Sequence, residues 1–322
     1  MRVVWLREFG EPGVLAPGEA PNPRPGAGQV LLDVAAIGVL FVETQIRSGN
    51  SPVPLPTLPV VPGNGVAGTV VEVGRDADPA LAGQRFVTAT GGSGGYAERI
   101  AVDADGLIPV PEELGLPEAV ALLADGCTAL AVTRATSPKE GEWVLVEAAA
   151  GGVGTLLVQL AVNAGAKVIA AASSAAKLRL AEELGAHATV DYSTPGWGEQ
   201  VRAIVGGAGV QVVLDGVGGT VGRTAFELTA PGSRFAIFGA ASGSFTPATI
   251  AEVFERRITL ITGRQLFTSP ADVRLLTVEA LAQAAKGLIR PVIGRTFPLE
   301  RAADAHAAVE GRAVLGKTLL LP

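Results

Sequence analysis

Cysteine is almost missing: the chain of 322 residues holds one, Cys127. That excludes an internal disulfide framework and any multi-cysteine zinc site. It fits a reducing compartment, so a cytoplasmic protein is expected. Histidine is nearly as scarce, with only His187 and His306, far apart in the chain. Charged residues make up 17% of the chain and aromatic residues 5%. No basic run exceeds the pair Arg256–Arg257, and the formal net charge is −6. Nucleic acid and anionic membrane surfaces are therefore poor partners. Long apolar runs are missing too. Val144–Ala150 and Val168–Ala172 are strand-sized, so no membrane span is expected. The opening MRVVWLREFGEPG mixes charges among its apolar residues and does not read as a signal peptide.

What is present is apolar. Hydrophobic residues reach 48%, which rules out disorder. Gly 42 and Pro 22 are high but follow no triplet period, so the chain is not collagen-like. The length suggests about two domains.

Residues 1–122 read as β-rich. Strands are expected at Arg2–Leu6, Val30–Ile37, Gly68–Val73, Gln84–Val87 and Tyr96–Val102, short, Val-rich and bounded by Gly/Pro turns. The proline-studded stretch Pro52–Pro62 is a loop, and Phe41–Arg47 is a short helix. The pattern changes near Gly126. Strands at Trp143–Glu147, Lys167–Ala172, Ala188–Asp191, Val210–Asp215, Arg234–Phe238 and Ile258–Thr262 alternate with helical segments. That alternation predicts a doubly wound parallel sheet, an α/β fold. A long helix, Pro270–Gly287, a short one, Leu299–Glu310, and a terminal strand, Thr318–Leu321, follow.

The first strand of this series runs into AAAGGVG, residues 148–154, and then into the helical TLLVQLAVNAG. Strand, glycine turn and helix in that order are what a dinucleotide site requires. Gly151 is expected to permit the tight turn, and Gly152, beside Val153, to let the backbone approach a pyrophosphate. Gly154 would let the helix pack closely on the sheet, with the helix N-terminus offering free N–H groups to the phosphates. Ala149 stands where the first glycine of G-x-G-x-x-G usually lies. An NAD enzyme would place Asp or Glu at the end of the second strand, about 20 residues on. Ser173, Ser174, Lys177 and Arg179 stand there instead. Hydroxyls and a cation suit a 2′-phosphate, so NADPH is expected, with Lys177 before Arg179 as its partner.

The order of parts resembles the medium-chain dehydrogenase/reductase superfamily, and within it the zinc-free quinone oxidoreductase, or zeta-crystallin-like, branch. The stretches that carry the resemblance are GVLFVETQIRSG (38–49), PGNGVAGTVVEVG (62–74), GCTAL (126–130), AAAGGVG (148–154), KLRLAEELGA (177–186), VVLDGVGG (212–219), FGAASG (238–243) and GRAVLGKTLLLP (311–322). Together they span essentially the whole chain. The resemblance implies a GroES-like substrate domain from residues 1–122 and 267–322 and a Rossmann domain from 123–266. It implies a nicotinamide held between them, met by Thr128, Val217, Phe238, Gly239 and Leu266. Tyr192 would lie near the adenosine end and Lys317 near the domain junction. A homodimer paired through the edge strand Ile258–Thr262 is implied as well.

The zinc alcohol-dehydrogenase branch is contradicted by residues. Where its catalytic zinc needs a Cys and a His-Glu pair, this chain has Leu40 and Pro62–Gly63–Asn64. No metal is expected. Both histidines read as surface or helix-face residues, and Cys127 as a small buried residue beside the cofactor. The quinone branch commonly carries Asn where Leu40 stands, Asp at Glu43, Tyr at Gln45, Ser51 and Leu130, and Glu at Asn64. The expected substrate wall, Leu40, Glu43, Asn64 and Leu130, is thus more aliphatic and smaller than usual. Glu43 and Asp215 are the local carboxylates. Glu43 reads as a cap or pairing residue within its domain, Asp215 as the holder of the following turn, and neither is assigned as a general acid.

The expected activity is zinc-independent hydride transfer from NADPH to a quinone or another conjugated carbonyl, of the EC 1.6.5 or 1.3.1 type. Reduction of an alkenal or a polyketide-type enoyl double bond, and NADPH binding without turnover, stay open as alternatives.

Overall fold

Six short apolar segments of the second half pair into one parallel sheet. The computed structural model describes residues 1–267 and 269–322. Across the sheet the strands run Ala188–Asp191, Lys167–Ala172, Trp143–Val146, Val210–Asp215, Thr229–Ile237 and Thr259–Ile261. Every pairing is parallel. In chain order this is 3-2-1-4-5-6, the doubly wound Rossmann arrangement. The strand sequence reverses direction between Trp143–Val146 and Val210–Asp215, which opens a crevice beyond their carboxyl ends. Val144, Leu145, Val146, Val212, Val213 and Leu214 are all buried, as strands covered on both faces must be.

Helices return the chain between these strands. Gly152–Asn163 buries Leu156, Leu157, Val158 and Leu160. Its end is fixed by Gly165 at φ 78, whose N–H donates to Val162 O while Ala166 N–H reaches Ala161 O. The helix Ala175–Glu183 stops in the same way at Gly185, φ 100. Both are left-handed glycine terminations that use up orphaned carbonyls. The unit's core gathers Trp197, Val201, Val205, Phe226 and Phe235 around Leu145, Ile169 and Val213.

The other half is antiparallel-rich. Gln29–Val39, at 11 residues, pairs with Gly65–Val73, Arg99–Asp103 and Lys317–Leu321. Arg85–Ala89 and Ile108–Pro109 extend the sheet on one side, and Ile293–Pro298 extends it on the other. A hairpin joins Arg2–Leu6 to Leu15–Glu19. Leu32, Ile37, Val66, Val70, Phe86, Tyr96 and Leu320 form the core. Leu15–Glu19, Ile108–Pro109 and Ile293–Pro298 are strands that the sequence pattern did not mark. Each carries Pro or Gly, which dilutes the alternation a strand is read from.

Two units result: Met1–Ala124 with Leu281–Ala285 and Pro291–Pro322, and Asp125–Ala280 with Lys286–Arg290. The sequence division put all of 267–322 with the first. The structure moves most of the helix Pro270–Ala285, and the segment after it, to the second unit. The reason is local. Glu279 pairs with Arg134, and Val273 O accepts from the Cys127 thiol at 3.7 Å. Asn163 and Gln159 side chains donate to Leu288 O and Arg290 O at 2.8 and 2.9 Å.

Among the described residues one helix, Leu116–Thr136, is long and apolar enough by composition to cross a membrane, contrary to the run-length reading. Its most apolar stretch is 67% buried inside the protein, as a core helix would be.

Candidate functional site

The glycine turn 148–154 leaves the central strand of the parallel sheet at the point where strand order reverses. Ala148, at φ 48, is the left-handed residue that makes the turn. Gly151, to which sequence reasoning gave that task, has an ordinary φ of −82 as N-cap of Gly152–Asn163. The strain therefore sits on an alanine, at a cost of about 1 kcal/mol that the surrounding packing must hold. Gly152 was expected to clear space for a pyrophosphate. A Cβ there would instead collide with the carboxylate of Asp125, a buried residue of the helix Leu116–Thr136. Gly154 behaves as expected, since a Cβ would strike the backbone of Ala148 and Ala149. Val153 follows in the first helical turn and is half-buried. Its N-cap, Gly151, makes no side-chain cap bond, and a helix start of this kind is where a phosphate is favoured.

The second strand, Lys167–Ala172, ends beside Ser173 and Ser174, both half-buried. Lys177 Nζ donates to Ser173 Oγ at 3.1 Å, one helical turn back. Ser174 is the N-cap of Ala175–Glu183 but makes no side-chain cap bond. Tyr192 donates its backbone N–H to Ala172 O at 3.1 Å, which places it at the same strand end. Arg179 is exposed. The structure thus gathers Ser173, Ser174, Lys177 and Tyr192 at one corner of the sheet, with no carboxylate in the strand-ending stretch Ala172–Ser174.

At the fourth strand, Asp215 holds the turn that follows. Its Oδ1 accepts from Val217 N at 3.0 Å and Gly218 N at 2.7 Å, and Thr246 donates to Oδ2. Phe238 N–H donates to Asp215 O at 2.9 Å, and its ring lies over Gly216, where a Cβ would not fit. A Cβ on Gly239 would likewise come too close to Gly216 O. Val217, Phe238 and Gly239 are therefore neighbours at the carboxyl end of the sheet. Leu266 is buried at the end of the short helix Gly263–Leu266, and Thr128 is half-buried on Leu116–Thr136.

A second cluster lies in the antiparallel unit. Leu40 and Asn64 are half-buried, and Glu43 joins them. Glu43 Oε2 accepts the Leu40 N–H and Oε1 the Asn64 N–H, each at 2.8 Å. Tyr96 donates to Glu43 Oε2 at 3.2 Å and meets His306 Nε2 at 2.8 Å. Burial raises the Glu43 pKa, while the two N–H groups, Lys317 and Tyr96 oppose the rise. Burial also raises the Tyr96 phenol well above its usual range, with Glu43 adding to it. Burial and then Arg47 push His306 down to about 3.

One expectation changes here. His306 is fully buried and bonded on the inward face of its helix, not at the surface. Lys317 is buried in the first unit, where its charge bears on Glu43. Leu130 is 3% exposed on the helix Leu116–Thr136. Tyr96, His306, Asp125 and Glu147 were missed. For His306 a signal existed: Ala302, Ala305 and His306 share the buried face of Ala302–Glu310.

A family model described as alcohol dehydrogenase GroES-like domain matches residues 26–112. Another, described as zinc-binding dehydrogenase, matches residues 152–280. A 2-haloacrylate reductase of Burkholderia sp is 36% identical, with 92% of each chain covered. A quinone oxidoreductase of Pseudomonas aeruginosa is 32% identical, with 99% of each covered. The chain belongs to the zinc-free quinone oxidoreductase branch of the medium-chain dehydrogenase/reductase superfamily. The solved quinone oxidoreductase of Escherichia coli, complexed with NADPH, superimposes with a TM-score of 0.91 at 29% identity, each chain covered in full. Among the described residues, no group of three or more His, Cys, Asp or Glu side chains could hold a metal ion.

Proposed function

We propose that this oxidoreductase uses NADPH to reduce a conjugated carbonyl, a quinone or an enone, without a metal. The observation that carries the cofactor choice is the Lys177–Ser173 pair at an end of the second strand that lacks a carboxylate. A 2′-phosphate there would meet a cation and two hydroxyls, and nothing in Ala172–Ser174 would repel it. When bound, NADPH supplies the hydride. The chain's own contribution is placement. The uncapped start of Gly152–Asn163 offers N–H groups to the pyrophosphate. Val217, Phe238 and Gly239 are the residues proposed to meet the nicotinamide half, with Thr128 and Leu266, and Tyr192 the adenosine half.

On the substrate side we assign Leu40 and Asn64 as wall residues, positioned by Glu43. An aliphatic group and a small amide favour an apolar conjugated substrate over a strongly polar one. Reduction of a carbon–carbon double bond is the second reading. It is favoured by the similarity to a protein named as reducing a 2-haloacrylate, itself a conjugated alkene. We further assign the protein to a reducing compartment such as the cytoplasm, on its single buried cysteine. A homodimer through the strand Thr259–Ile261 completes the proposal. The test is to mix purified protein and NADPH with a panel of quinones, 2-enones and enoyl esters. Loss of the nicotinamide absorbance with at least one member is the expected outcome. No loss with any member would leave an NADPH-binding protein without this activity.

A further inference from the structure

Glu43 sits in the first turn of the helix Phe41–Ser48 and is 6% exposed. A buried carboxylate is costly unless its oxygens are used, and here both are. One accepts from Leu40 at the helix entrance. The other accepts from Asn64, 21 residues further on, where the chain enters the strand Gly65–Val73. Two backbone segments are thus tied through one side chain. Asn64 is held from the other direction as well, since its carbonyl accepts from Thr90 N at 2.8 Å.

With Glu43 ionised, the proton inventory around it closes in one way. Leu40 N–H and Asn64 N–H are donors only, so the carboxylate must accept from both. Tyr96 then donates its O–H to Oε2, so its oxygen must receive a hydrogen from His306 Nε2. His306 is neutral and carries its one proton on Nε2, which leaves Nδ1 bare, and Nδ1 has no partner. Lys317 is the cation that faces the carboxylate, and Arg47, paired with Glu310, is the cation beside His306. These are the charged and titratable groups packed on the cluster.

We propose that Glu43 is a positioning residue for the substrate: its carboxylate sets the separation of Leu40 and Asn64, the two walls of the substrate site, and does so without touching the substrate. This rests on the reading that Leu40 and Asn64 line that site. Two acceptor oxygens on one rigid group are needed. Glutamine of the same length has one oxygen and turns an NH2 toward an N–H, so one tie breaks. Aspartate keeps the charge but is one methylene short of spanning both segments. Protonation of Glu43 weakens both ties, because a neutral carboxyl oxygen accepts a hydrogen bond less strongly than a carboxylate oxygen.

The experiment compares wild type, Glu43→Gln and Glu43→Asp in NADPH oxidation across the quinone and enone panel, with kcat and KM separated, a pH profile, the NADPH Kd and the melting temperature. Glu43→Gln is expected to lower kcat/KM for the preferred substrate by about tenfold or more, the worth of one charge-assisted hydrogen bond. It should also lose the acid limb of the wild-type kcat/KM profile and keep the NADPH Kd. Glu43→Asp should show a comparable fall, a changed order of preference across the panel, and a retained acid limb. A folded Glu43→Gln with unchanged kcat/KM and acid limb would overturn the proposal alone. If Glu43→Gln does not fold, an Asp variant with unaltered kcat/KM and preference would do the same. A wild type inactive on every panel member would overturn both this proposal and the reading beneath it.

Discussion

Glu147 and Asp215 end neighbouring strands of the parallel sheet, and both carboxyls are fully buried. Glu147 donates its backbone N–H to Leu214 O at 3.0 Å, so the two residues are locked side by side by the ladder itself. Asp215 spends its oxygens on Val217, Gly218 and Thr246. Neither Glu147 oxygen has a well-formed hydrogen bond. Burial, and then the charge of Asp215, raise the Glu147 pKa well above the ordinary carboxylate range.

The sign of the resulting pH dependence is fixed. In the unfolded chain Glu147 titrates near the usual value of about 4.3. Folded, it keeps its proton to a higher pH. Between those limits the native state binds the extra proton, so stability falls as pH rises. Glu147→Gln keeps the shape, donates an N–H toward Asp215, and cannot ionise. The stability gap between variant and wild type should be small near pH 4. It should widen in the variant's favour by up to about 1.4 kcal/mol per pH unit as pH climbs. Urea unfolding at several pH values measures this, and a constant gap would refute the assignment.

The glycines of the turn make different demands. At Gly154 an added methyl meets backbone, which cannot move aside. At Gly152 it meets the end of one side chain, Asp125. Both alanine substitutions should destabilise, by about 1–3 kcal/mol in the usual range for overpacking. Only Gly152→Ala should be rescued by Asp125→Ala, so the double-mutant cycle should show strong coupling at 152 and none at 154. Thermal unfolding of the three single variants, Asp125→Ala included, and the two double variants decides the matter.

Why some of this was legible in the sequence and some not follows from the kind of signal each residue leaves. The parallel sheet was legible because strands buried on both faces read as unbroken apolar runs, VLV or VIAAA, with little else competing. The turn 148–154 was legible from its glycines, but their individual reasons were not. Which Cα faces Asp125 depends on a helix about 25 residues earlier in the chain, brought there only by folding. The same holds for Glu43, Tyr96 and His306. They are 53 and 210 residues apart along the chain in successive pairs, and nothing local announces that they meet. The helix Pro270–Ala285 was seen as a helix, yet its allegiance was misread. Its partners Cys127 and Arg134 sit on another helix, and a helical period says which face is buried, not against what.

Cofactor preference is the next expectation. Lys177 already reaches Ser173 at 3.1 Å, so the cation is held over the strand end before any ligand arrives. Pre-positioning lowers the ordering cost of the contact. Lys177→Ala should weaken NADPH binding by about tenfold to a hundredfold, the value of a charge-assisted hydrogen bond, and leave NADH binding nearly unchanged. Titration of both cofactors by quenching of protein fluorescence gives the comparison. Equal affinity for the two cofactors in the wild type would remove Lys177 from the role.

The last expectation concerns assembly. Thr259–Ile261 is the outermost strand of the parallel sheet and pairs, among the described residues, only with Thr229–Ile237. An unpaired edge is a template for a second strand. The stretch that leads into it carries large apolar side chains that stand largely exposed: Phe245 is 66% exposed, Ile250 90% and Phe254 83%. Single exposed apolar residues are ordinary, but three in one stretch beside an open sheet edge fit a surface that a second copy covers. A two-fold pairing of the edge strands would bury both edges at once, because an isologous contact uses the same surface twice. Phe254→Lys places a charge in that surface. It sits near the C-terminal end of the helix Ile250–Glu255, where a cation is favourable, so the fold itself should tolerate it. Wild type is expected to be a dimer at micromolar concentration by light scattering, and Phe254→Lys a monomer with near-native circular dichroism. A monomeric wild type, or a variant that stays dimeric, would place the interface elsewhere or remove it.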